Sequence, residues 1–516
     1  MENILDVKDV LNIEKNLMNK LNLPSLILME NAGLRSADFI LQKYNERGCS
    51  NILILLGKGN NAGDGMVIAR HLISKNIIPY IYFLYPQQEY KNDAKINYDI
   101  LKNLIPDKYI FSYENFETGF ENLNKEGLII VDAVFGVGFK GTEDEITKKV
   151  FDYLNHNKKG LVIAIDVPSG LSDMINAENS ILKADYTLSM GVKRLNTVYG
   201  GGREFCGEVV KIELGIIENE FENPLKIFMV EKSDVKEMMP AKRKINSNKY
   251  SAGKVFVLAG SRGYTGAGYL SSMSALRTGA GAVIIGFPES LDKIFEIKLT
   301  EVIKKPLPEN KESGLSEDAF DEIIELIQWS DVTLIGPGLG RSNETQNLIR
   351  NIVQNVDKPL VIDADGLYAF KGNTGLLKKD KNQIIITPHY GEFANLLGIN
   401  YNDIKNNFVN YSKKFAAEHN LTLILKNSPS LVTQGNEIIL NSTGSENLAT
   451  VGSGDVLAGI VSGIYSQSKD PLKSAAAANY IHGMCSDILK NKNCGNSVIA
   501  GDLIEFIPQA IYHLLT

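Results

Sequence analysis

Apolar residues recur along the chain in runs that predict buried strands separated by helices. Residues 11–44 carry apolar positions at helical spacing, and Pro24 interrupts them, so two helices are predicted before the first strand. That strand is Asn51–Leu56, with the sequence NILILL. Four more apolar runs follow: IIPYIYFLY around Pro79, LIIVDAVFG ending at Gly136, LVIAIDVPSG ending at Gly170 and ADYTLSMG ending at Gly191. Uninterrupted runs of this kind are typical of parallel strands that are covered on both faces.

A polar stretch separates this series of strands from a second one. Between Gly215 and Ser251 the strand pattern gives way to IENEFENP and then to AKRKINSNKYSAG, which ends at Gly253, and the breakers and mixed charges of these segments are typical of a domain junction. We place the boundary near residue 220, which gives domains of residues 1–220 and 221–516. Beyond it come the runs KVFVLAG, AVIIGFP, DVTLIGPG, PLVIDADG, IIITPH and LTLILKN. Each half is predicted to be an open three-layer α/β domain, with ligands beyond the carboxyl ends of its strands.

The length of the chain agrees with two domains, and its net charge argues against one class of binding partner. A chain of 516 residues exceeds what one hydrophobic core usually supports, and 44% apolar with 22% charged residues is typical of a soluble enzyme. The net charge of −7 argues against nucleic acid as a partner. The basic run Lys242–Lys244 is short, and it suits a solvated linker, with a phosphate-contacting patch as the alternative.

The cysteines and the N-terminus favour a cytoplasmic protein. The four cysteines match no zinc or redox spacing, so free thiols are expected. The sequence starts without a basic targeting region, and no stretch approaches the roughly 20 apolar residues that span a bilayer. We therefore expect no membrane partner, and we expect the chain to form a homo-oligomer.

A glycine-rich loop, GKGNNAGDG at residues 57–65, joins the first strand to a helix. Such a turn aims backbone N–H groups at an anion, although glycines also tighten turns that bind nothing. The side chains of Asn60, Asn61 and Asp64 favour recognition of a polar ligand or a cation.

Two carboxylates stand at the ends of other predicted strands. Asp132 begins DAVFGVGFKGT, and Asp166 begins DVPSG. Buried carboxylates are costly unless they are paired or coordinating, although helix capping is an alternative role. Together with the glycine-rich loop, these segments predict an oxygen-rich cavity with room for a hydroxylated ring and a monovalent cation.

The ordered motifs of the first half resemble the NAD(P)H-hydrate epimerase family. They are MENAG (Met29–Gly33), GKGNNAGDG, DAVFGVG, DVPSG and ADYTLSMGVK. The resemblance implies a Rossmann-like αβα domain in which Asn61, Asp132 and Ser169 hold potassium. It also implies that the hydrated nicotinamide nucleotide is bound by Asn60, Asn61, Ala62, Gly63, Asp64, Gly136, Val137, Gly138, Phe139, Lys140, Gly141, Thr142 and Asp166.

Within that resemblance, Asp166 is our candidate acid–base group for the epimerisation. Lys193 is either a phosphate contact or a surface lysine. Ala62 occupies a position where the family has glycine, and the change affects substrate fit only if that residue needs a positive φ.

In the second half, Gly452, Ser453 and Gly454 precede Asp455 and an apolar helix. Glycine amides at a helix N-terminus form an anion nest, and an acid inside the nest can take a proton from a hydroxyl that faces a phosphate. The alternative role of Asp455 is a structural helix cap.

This loop, with GPGLG, DADGLY, TPHYGEF and AGDLIEFIP, resembles the ribokinase-like family of NAD(P)H-hydrate dehydratases. The resemblance implies a ribokinase-like three-layer α/β domain. It implies that the adenine nucleotide is held by Lys426, Asn427, Ser428, Pro429, Ser430, Gly452, Ser453 and Gly454. It implies that the hydrated substrate faces Ala267, Gly338, Thr387, Pro388, His389, Tyr390, Gly391, Glu392, Phe393 and Asp455.

In this half one residue has two possible roles, and two residues differ from those of the family. His389 is either a substrate contact or a hydrogen-bonded structural residue at a strand end. Ser453 replaces the threonine of the family and keeps its hydroxyl group. Asn427 replaces a glycine, and asparagine tolerates the left-handed conformation better than most residues.

Together the two resemblances imply a repair enzyme for hydrated nicotinamide cofactors. It interconverts the R and S hydrates of NADH and NADPH, and it dehydrates the S form while ADP is converted to AMP and phosphate. ATP is the alternative donor. Mg²⁺ is expected on the transferred phosphate, and because Mg²⁺ relies on waters and substrate phosphates, we expect no motif of protein ligands alone.

Two other classes of function remain. A sugar or vitamin kinase with an extra domain shares the GSGD loop, and it would release a stable phosphorylated product rather than phosphate and NADH. A non-catalytic scaffold would bind no adenine nucleotide.

Overall fold

The computed structural model describes the chain except residues 112–119, 122, 124–126, 140–142, 158–159, 173–179, 217–222, 244, 246–251 and 493. The chain divides into an N-terminal unit, Asn3–Leu225, and a C-terminal unit, Lys226–Thr516 together with Met1–Glu2. The boundary that we place near residue 220 lies outside the described residues.

The N-terminal unit alternates strands and helices along the chain. Its strands are β1 (Glu2–Leu5), β2 (Asn51–Leu56), β3 (Tyr80–Phe83), β4 (Ile110–Phe111), β5 (Leu128–Ala133), β6 (Leu161–Ile165), β7 (Tyr186–Met190), β8 (Lys193–Arg194) and β9 (Glu208–Ile212). Its helices are α1 (Val7–Leu21), α2 (Ser25–Glu46), α3 (Asn60–Ser74), α4 (Asn92–Lys102), α5 (Glu145–Asn157), α6 (Leu195–Val198) and α7 (Arg203–Cys206). Short 3₁₀ turns cover Gln87–Glu89, Asp107–Tyr109 and Gly200–Gly202.

The break predicted at Pro24 is confirmed. Helix α1 ends at Leu21, Asn22 adopts the left-handed conformation with φ 50°, and α2 begins after Pro24. At the other end of α1, the Asp6 side chain accepts a hydrogen bond from the Val7 N–H at 2.7 Å. The loop is short because asparagine tolerates a positive φ and proline is well suited to the start of a helix.

The N-terminal sheet has, in its described strands, the order β4-β3-β2-β5-β6-β7-β9, and its neighbours run parallel. The order reverses between β2 and β5, which is the switch point where Rossmann-like sheets bind ligands. Alternate residues of β2 face opposite cores. Ile52 and Ile54 pack in a core with residues of α2, α3 and α4, whereas Leu53 and Leu55 pack with residues of α5. The predicted three-layer αβα arrangement is confirmed.

The C-terminal unit has a larger sheet. Its strands are β10 (Ile227–Met229), β11 (Lys254–Leu258), β12 (Ala282–Pro288), β13 (Ile303–Leu307), β14 (Val332–Ile335), β15 (Leu360–Ile362), β16 (Ile384–Ile386), β17 (Thr422–Leu425), β18 (Leu431–Thr433) and β19 (Ile438–Leu440). Their order in this unit is β13-β12-β11-β14-β15-β16-β17-β18-β19-β10. The strands from β13 to β17 are parallel, while β17, β18 and β19 pair antiparallel.

Helices cover both faces of this sheet. They are α8 (Lys232–Met238), α9 (Thr265–Arg277), α10 (Asp292–Lys298), α11 (Phe320–Trp329), α12 (Asn343–Asn355), α13 (Asp365–Tyr368), α14 (Tyr390–Leu397), α15 (Tyr401–His419), α16 (Ser453–Ser468), α17 (Pro471–Asn491) and α18 (Ala500–Leu515). Short 3₁₀ turns cover Glu289–Leu291, Glu317–Ala319, Thr374–Leu377, Glu446–Leu448 and Gly495–Ser497. On one face α9, α16, α17 and α18 share a core with the strands, and α11 and α15 pack on the other strand face. The predicted three-layer α/β domain is confirmed.

The helices of the described residues differ from membrane-spanning helices. None of them combines the length and the apolar character that crossing a membrane requires.

We predict that the two units fold independently, because each has its own hydrophobic cores. Trp329, the only tryptophan of the sequence, lies in the C-terminal unit, so its fluorescence reports the unfolding of that unit alone. In urea, fluorescence should follow one transition of the full chain, and the fragment of residues 226–516 should reproduce its midpoint. A fragment of residues 3–225 should unfold cooperatively by circular dichroism. The prediction fails if either fragment lacks a cooperative transition.

Candidate functional site

The carboxyl ends of neighbouring strands meet at one edge of the N-terminal sheet. The register pairs Leu56 of β2 with Ala133 of β5, and it pairs Asp132 of β5 with Ala164 of β6. The loops after β2, β5 and β6 therefore lie side by side. Gly57 permits their close approach, because a Cβ atom there would lie 2.0 Å from the carbonyl oxygen of Val134.

Asp132 and Ser169 form a fully buried pair at this edge. The Ser169 hydroxyl donates to Asp132 Oδ1 at 2.5 Å, and the Ser169 N–H donates to Oδ2 at 2.8 Å. Ser169 Oγ accepts from the Phe135 N–H at 2.8 Å. Burial raises the pKa of Asp132 to about 6, and the hydrogen bonds to Ser169 oppose that rise. Two of the three residues expected to hold potassium are thus in direct contact.

Asp166 meets a buried guanidinium group. Arg194 Nη2 lies 2.5 Å from Asp166 Oδ1, and only 1% of the Arg194 side chain is exposed. Asp166 Oδ2 accepts a hydrogen bond from the Val137 N–H at 2.9 Å. Arg194 also donates from Nη1 to Ser189 Oγ at 2.9 Å. Lys193 was a candidate phosphate contact from the sequence. The cation that contacts Asp166 is instead its neighbour, Arg194.

Asn61, the third residue expected to hold potassium, lies beside Asp166. A Cβ atom on Gly136 would lie 3.0 Å from Asp166 Oδ2 and 3.5 Å from Asn61 Cγ, so both side chains approach one point of the loop. Asn61 is 7% exposed, and in the described part of the chain neither atom of its amide group has a hydrogen-bond partner. A buried amide without partners is costly, which favours a ligand at this position.

Asp64 and Glu14 add two more carboxyl groups. Burial, followed by the charges of Asp166 and Glu14, raises the pKa of Asp64 well above its usual range. Burial also raises the pKa of Glu14 to about 7; Arg194 opposes this rise, and Asp166 adds to it. Glu14 was absent from the residues that sequence reasoning singled out.

Glu14, Asn61, Asp64, Asp166 and Arg194 line a cavity of about 750 Å³ in the N-terminal unit, whereas Asp132 and Ser169 are not among its lining residues. Of the residues expected to bind substrate, the wall includes Asn60, Asn61, Asp64, Gly136, Val137, Gly138, Phe139 and Asp166. Lys140, Gly141 and Thr142 lie outside the described residues. The cavity is large enough for a nucleotide-sized ligand, because typical small-molecule sites occupy about 300–1,000 Å³.

The whole segment Asn60–Asp64 was expected to contact the substrate, but Ala62 and Gly63 do not line the cavity. The Ala62 side chain is fully buried in the core shared with α2 and α4. A Cβ atom on Gly63 would lie 2.6 Å from Met29 Sδ, so Gly63 packs against α2. These two residues pack inside the unit rather than line the cavity. Ala62 lies within α3 and has no positive φ, so the missing glycine introduces no backbone strain.

In the C-terminal unit the segment predicted to form an anion nest, Gly452–Gly454, lies at the start of α16. Gly452 is the N-cap residue, with φ 89°, a left-handed conformation that glycine adopts without strain. Asp455 lies in the first turn of α16. Burial, followed by the charge of Asp363, raises the pKa of Asp455 to about 7, while Lys426 opposes the rise. The carboxyl group can therefore change its protonation state near neutral pH.

Lys426 extends from the end of β17 to the same place. Its Nζ lies 2.8 Å from Asp363 Oδ1 and 3.9 Å from Glu392 Oε2. A Cβ atom on Gly454 would lie 3.2 Å from Lys426 Nζ and 4.0 Å from Asp363 Oδ2. Burial alone would lower the pKa of Lys426, but Asp363 and Glu392 outweigh it and hold that pKa above its usual range. A fixed positive charge therefore lies beside the nest.

The segment Thr387–Phe393 connects β16 to α14 at the same sheet edge. A bridge pairs His389 with Lys426, and the Lys426 N–H donates to the carbonyl oxygen of Pro388 at 2.8 Å. Thr387 is fully buried, and its hydroxyl has no partner within the described residues. Phe393 corrects the expectation of a substrate contact, since it is fully buried and packs edge-to-face on Phe415 with ring centroids 5.4 Å apart.

His389 has a hydrogen-bonded structural role, which was the alternative to a substrate contact. Its Nδ1 accepts hydrogen bonds from the N–H groups of Gly391 at 3.0 Å and Glu392 at 3.3 Å. The Glu392 carboxylate in turn accepts from the His389 N–H at 2.9 Å. This reciprocal pair caps α14 and fixes the position of Glu392 near Lys426.

The remaining predicted nucleotide contacts follow Lys426. Asn427 Nδ2 donates to the hydroxyl of Tyr390 at 3.1 Å, and Asn427 has no positive φ, so the loop turns without using the left-handed conformation there. Ser430 donates from its hydroxyl to the carbonyl oxygen of Asn427 at 3.2 Å, and the Ser428–Pro429 bond is cis. These four residues thus form one loop next to α14.

Ser453 of the nest has a partner that the sequence did not reveal. His482 of α17 is buried, and its Nε2 lies 3.1 Å from Ser453 Oγ. Burial lowers the pKa of His482 to about 4, so the ring is neutral at pH 7. Ala267 and Gly338 also adjoin one another, because a Cβ atom on Gly338 would lie 3.0 Å from Ala267 Cβ.

The described residues contain no group of three or more His, Cys, Asp or Glu side chains arranged to hold a metal ion. A Mg²⁺ ion bound by the described residues would therefore need further ligands that are not His, Cys, Asp or Glu side chains.

Comparisons with known proteins match both units. A family model described as YjeF-related protein N-terminus matches residues 25–195, and one described as NAD(P)H-hydrate dehydratase matches residues 255–509. The "Bifunctional NAD(P)H-hydrate repair enzyme Nnr" of Moorella thermoacetica is 32% identical over 95% of this chain and 93% of its own. The protein of the same name from Dictyoglomus turgidum is 34% identical over 98% of this chain and 97% of its own.

Solved structures also resemble this chain in fold. A ribokinase-like superfamily protein from Enterococcus faecalis is 22% identical, with a TM-score of 0.50, over 56% of this chain and 96% of its own. At this identity the likeness extends to the fold alone.

We predict that Arg194→Met destabilises the N-terminal unit by about 3 kcal/mol at pH 8, because it leaves Asp166 buried without its cation. Urea unfolding followed by circular dichroism measures the destabilisation. Lys193→Met, at the adjacent and more exposed residue, is the matched control and should cost less than about 1 kcal/mol. Equal effects of the two variants would contradict the assignment.

Proposed function

Because the chain belongs to the family of bifunctional NAD(P)H-hydrate repair enzymes, we propose that each unit carries one step of the repair. The N-terminal unit, corresponding to the domain that we place at residues 1–220, interconverts the R and S hydrates of NADH and NADPH. The C-terminal unit, corresponding to residues 221–516, dehydrates the S hydrate while ADP is converted to AMP and phosphate. The observation that carries the proposal is Asp455, an acid with a pKa of about 7 inside a glycine nest beside Lys426.

In the N-terminal cavity the reacting carbon carries a hydroxyl group and is bonded to the ring nitrogen. A proton from an enzyme acid joins the hydroxyl oxygen, the carbon–oxygen bond breaks, and the nitrogen lone pair forms an iminium ion as water leaves. Water then adds to the other face of the same carbon and returns a proton to the enzyme. Asp166, held by Arg194 and the Val137 N–H, is oriented to accept that proton.

In the C-terminal unit the hydroxyl group must become a better leaving group. Asp455 takes its proton as the oxygen attacks the terminal phosphorus of ADP, which releases AMP. The ring nitrogen then expels the phosphate, and loss of a proton from the neighbouring carbon restores the dihydropyridine ring. The N–H groups of Gly452 and Gly454 and the ammonium group of Lys426 would hold the transferred phosphate, whereas the Ser453 N–H donates to the carbonyl oxygen of Thr450 at 3.2 Å.

Mg²⁺ fits this arrangement as an ion bound mainly by phosphate. The carboxylates of Asp363 and Glu392 adjoin Lys426 at the nest, and one or two carboxylates with substrate phosphates are what Mg²⁺ prefers. When bound, the ion would neutralise charge on the transferred phosphate. ATP would meet the same groups as ADP, and the resemblance of fused chains favours ADP.

Potassium fits the N-terminal cavity. Asn61 Oδ1 and Nδ2 are buried without a partner in the described residues, and the oxygens of Asp132 and Ser169 belong to the adjoining loops. Such hard, weakly charged oxygen donors suit a monovalent cation better than zinc. When bound, potassium would supply positive charge to a site that is rich in carboxyl groups.

We predict that Asp455→Asn lowers the rate of dehydration by about 10²- to 10⁴-fold, because a general base is lost while the shape of the nest is kept. The R and S hydrates should still interconvert at the unchanged rate, since the epimerase residues belong to the other unit. Both activities are measured on one preparation, with NADH absorbance and phosphate release for dehydration and chromatography for the epimers. Dehydration within a few-fold of the parent would remove Asp455 from the mechanism, and stable phosphorylated product would indicate a kinase.

The same assay has a predicted pH dependence. With a pKa raised to about 7, Asp455 is the active carboxylate above that pH, so the parent rate should rise between pH 6 and pH 8. The residual rate of Asp455→Asn should lack this rise.

We predict that Asn61→Ala abolishes stabilisation by potassium. If K⁺ binds the folded unit, it should raise the melting temperature of the parent as its concentration increases, whereas choline should not. The variant should lose this shift without losing stability in its absence, because the removed amide has no partner among the described residues. Asn60→Ala removes the exposed neighbouring amide and should keep the shift. An unchanged potassium effect in Asn61→Ala would overturn this site.

A further inference from the structure

Helix α1 contributes a wall to the N-terminal cavity although it precedes residues 25–195, the segment that the family model matches. Leu11, Glu14 and Met18 line the cavity from this helix. Their spacing of three and four residues places them on one helical face. Glu14 is thus the acid that α1 presents to the cavity, between two apolar neighbours.

The Glu14 carboxyl group has charged neighbours but no hydrogen-bond donor within the described part of the chain. Arg194 and Asp166 interact with it from the carboxyl edge of the sheet, and Asp64 interacts with it from α3. Arg194 is already committed to Asp166 at 2.5 Å and to Ser189 at 2.9 Å. A glutamate placed in this way serves no evident packing or capping purpose, and its position is costly when ionised.

Several other carboxyl groups that line the cavity are held by hydrogen-bond donors: Asp93 accepts from the Ser25 hydroxyl, Glu143 from the Ser180 N–H and Asp144 from the Tyr85 hydroxyl. Asp166 is fixed by Arg194 and by the Val137 N–H. Asp132 is fully buried and bonded to Ser169, and it is not among the residues that line the cavity. Burial, followed by the charges of Asp166 and Glu14, raises the pKa of Asp64 well above its usual range, and burial raises the pKa of Glu14 to about 7. Proton exchange is most efficient when the pKa lies near the working pH.

We propose that Glu14 is the general acid of the epimerisation, which gives a proton to the departing hydroxyl group. This inference rests on the epimerase function proposed for the unit. The protonated carboxyl group donates to the hydroxyl oxygen, the carbon–oxygen bond breaks, and water leaves with both electrons of that bond. Asp166 accepts a proton from the water that returns to the other face, and transfer of that proton through solvent from Asp166 to Glu14 restores both groups. No oxidant, reductant or further reactant is needed.

The test compares Glu14→Gln with the parent in the full chain and without ADP, so that only epimerisation proceeds. The variant keeps the shape and hydrogen-bonding reach of the side chain but has no proton to give. The rate should fall about 10²- to 10⁴-fold, while calorimetric titration with the hydrate mixture should give a dissociation constant within threefold of the parent. Glu14→Asp should recover part of the rate. Lys15→Gln, at the exposed neighbour on α1, is the matched control for the loss of one charge.

The pH profile and the melting temperature separate this role from a structural one. The acid form of Glu14 is lost as the pH rises through about 7, so the parent rate should fall there, and Glu14→Gln should lack that limb. A carboxyl group whose pKa is raised by folding destabilises the folded unit at high pH. Glu14→Gln should therefore raise the melting temperature at pH 8, whereas the loss of a structural contact would lower it.

Several outcomes would overturn the proposal. These are a Glu14→Gln rate within threefold of the parent, an unchanged pH profile, an equal loss in Lys15→Gln, or a loss that appears in Asp64→Asn while Glu14→Gln stays active. Failure of the underlying function is distinguishable, because a parent chain that does not interconvert the hydrates at all contradicts the epimerase assignment and not the role of Glu14.

Discussion

The pairing of buried charges at the carboxyl edge of each parallel sheet is the interaction on which both sites depend. In the N-terminal unit Arg194 contacts Asp166, and in the C-terminal unit Lys426 contacts Asp363. Removing ions from water is costly, so each carboxylate remains at the edge only with a partner of opposite charge. The pairs also orient the loops, because Asp166 accepts from the Val137 N–H, and Lys426 reaches Gly454. Without the cations the same loops would have to open toward solvent.

Each unit also contains a carboxyl group in such surroundings that has no close cation of its own and a pKa of about 7. Burial is the largest cause of the raised pKa of Glu14 and of Asp455, and each has a value of about 7. The neighbouring cation, Arg194 or Lys426, lowers both values but is engaged more closely elsewhere. Two sheets with different strand orders thus reach a similar result, which is an acid that exchanges its proton near neutral pH.

The sequence was sufficient for the elements that form long apolar runs. Strands β2, β5, β6 and β7 and the loops after them follow from continuous burial on both faces, and the breaks follow from proline and glycine. The hairpin of β18 and β19 and the two-residue strand β8 were not predicted, because strands of two or three residues show no periodicity. Their positions depend on the neighbouring strands.

The residues of the candidate sites also divide into those that the sequence predicted and those that only the structure revealed. Asp132, Asp166 and Asp455 were found because a carboxylate directly after an apolar strand or inside a glycine loop is unusual. Glu14 and His482 sit in helices whose sequences look ordinary, and only the packing of α1 and α17 brings them to the sites. Conversely, Ala62 and Phe393 lie inside motifs and yet face the core, since a motif does not state which way each side chain points.

The sites also concentrate features that are unfavourable for stability. Asp166 has φ 73° and Ala364 has φ 51°, and such conformations cost roughly 1–3 kcal/mol for residues other than glycine. Asn61 and the Thr387 hydroxyl are buried without partners in the described residues. All four lie in the segments that follow strands, whereas the cores behind them are continuous and apolar. Because the apolar cores stabilise each unit, the loops can keep polar groups unpaired until a ligand contacts them, and the energy recovered on binding then favours the ligand.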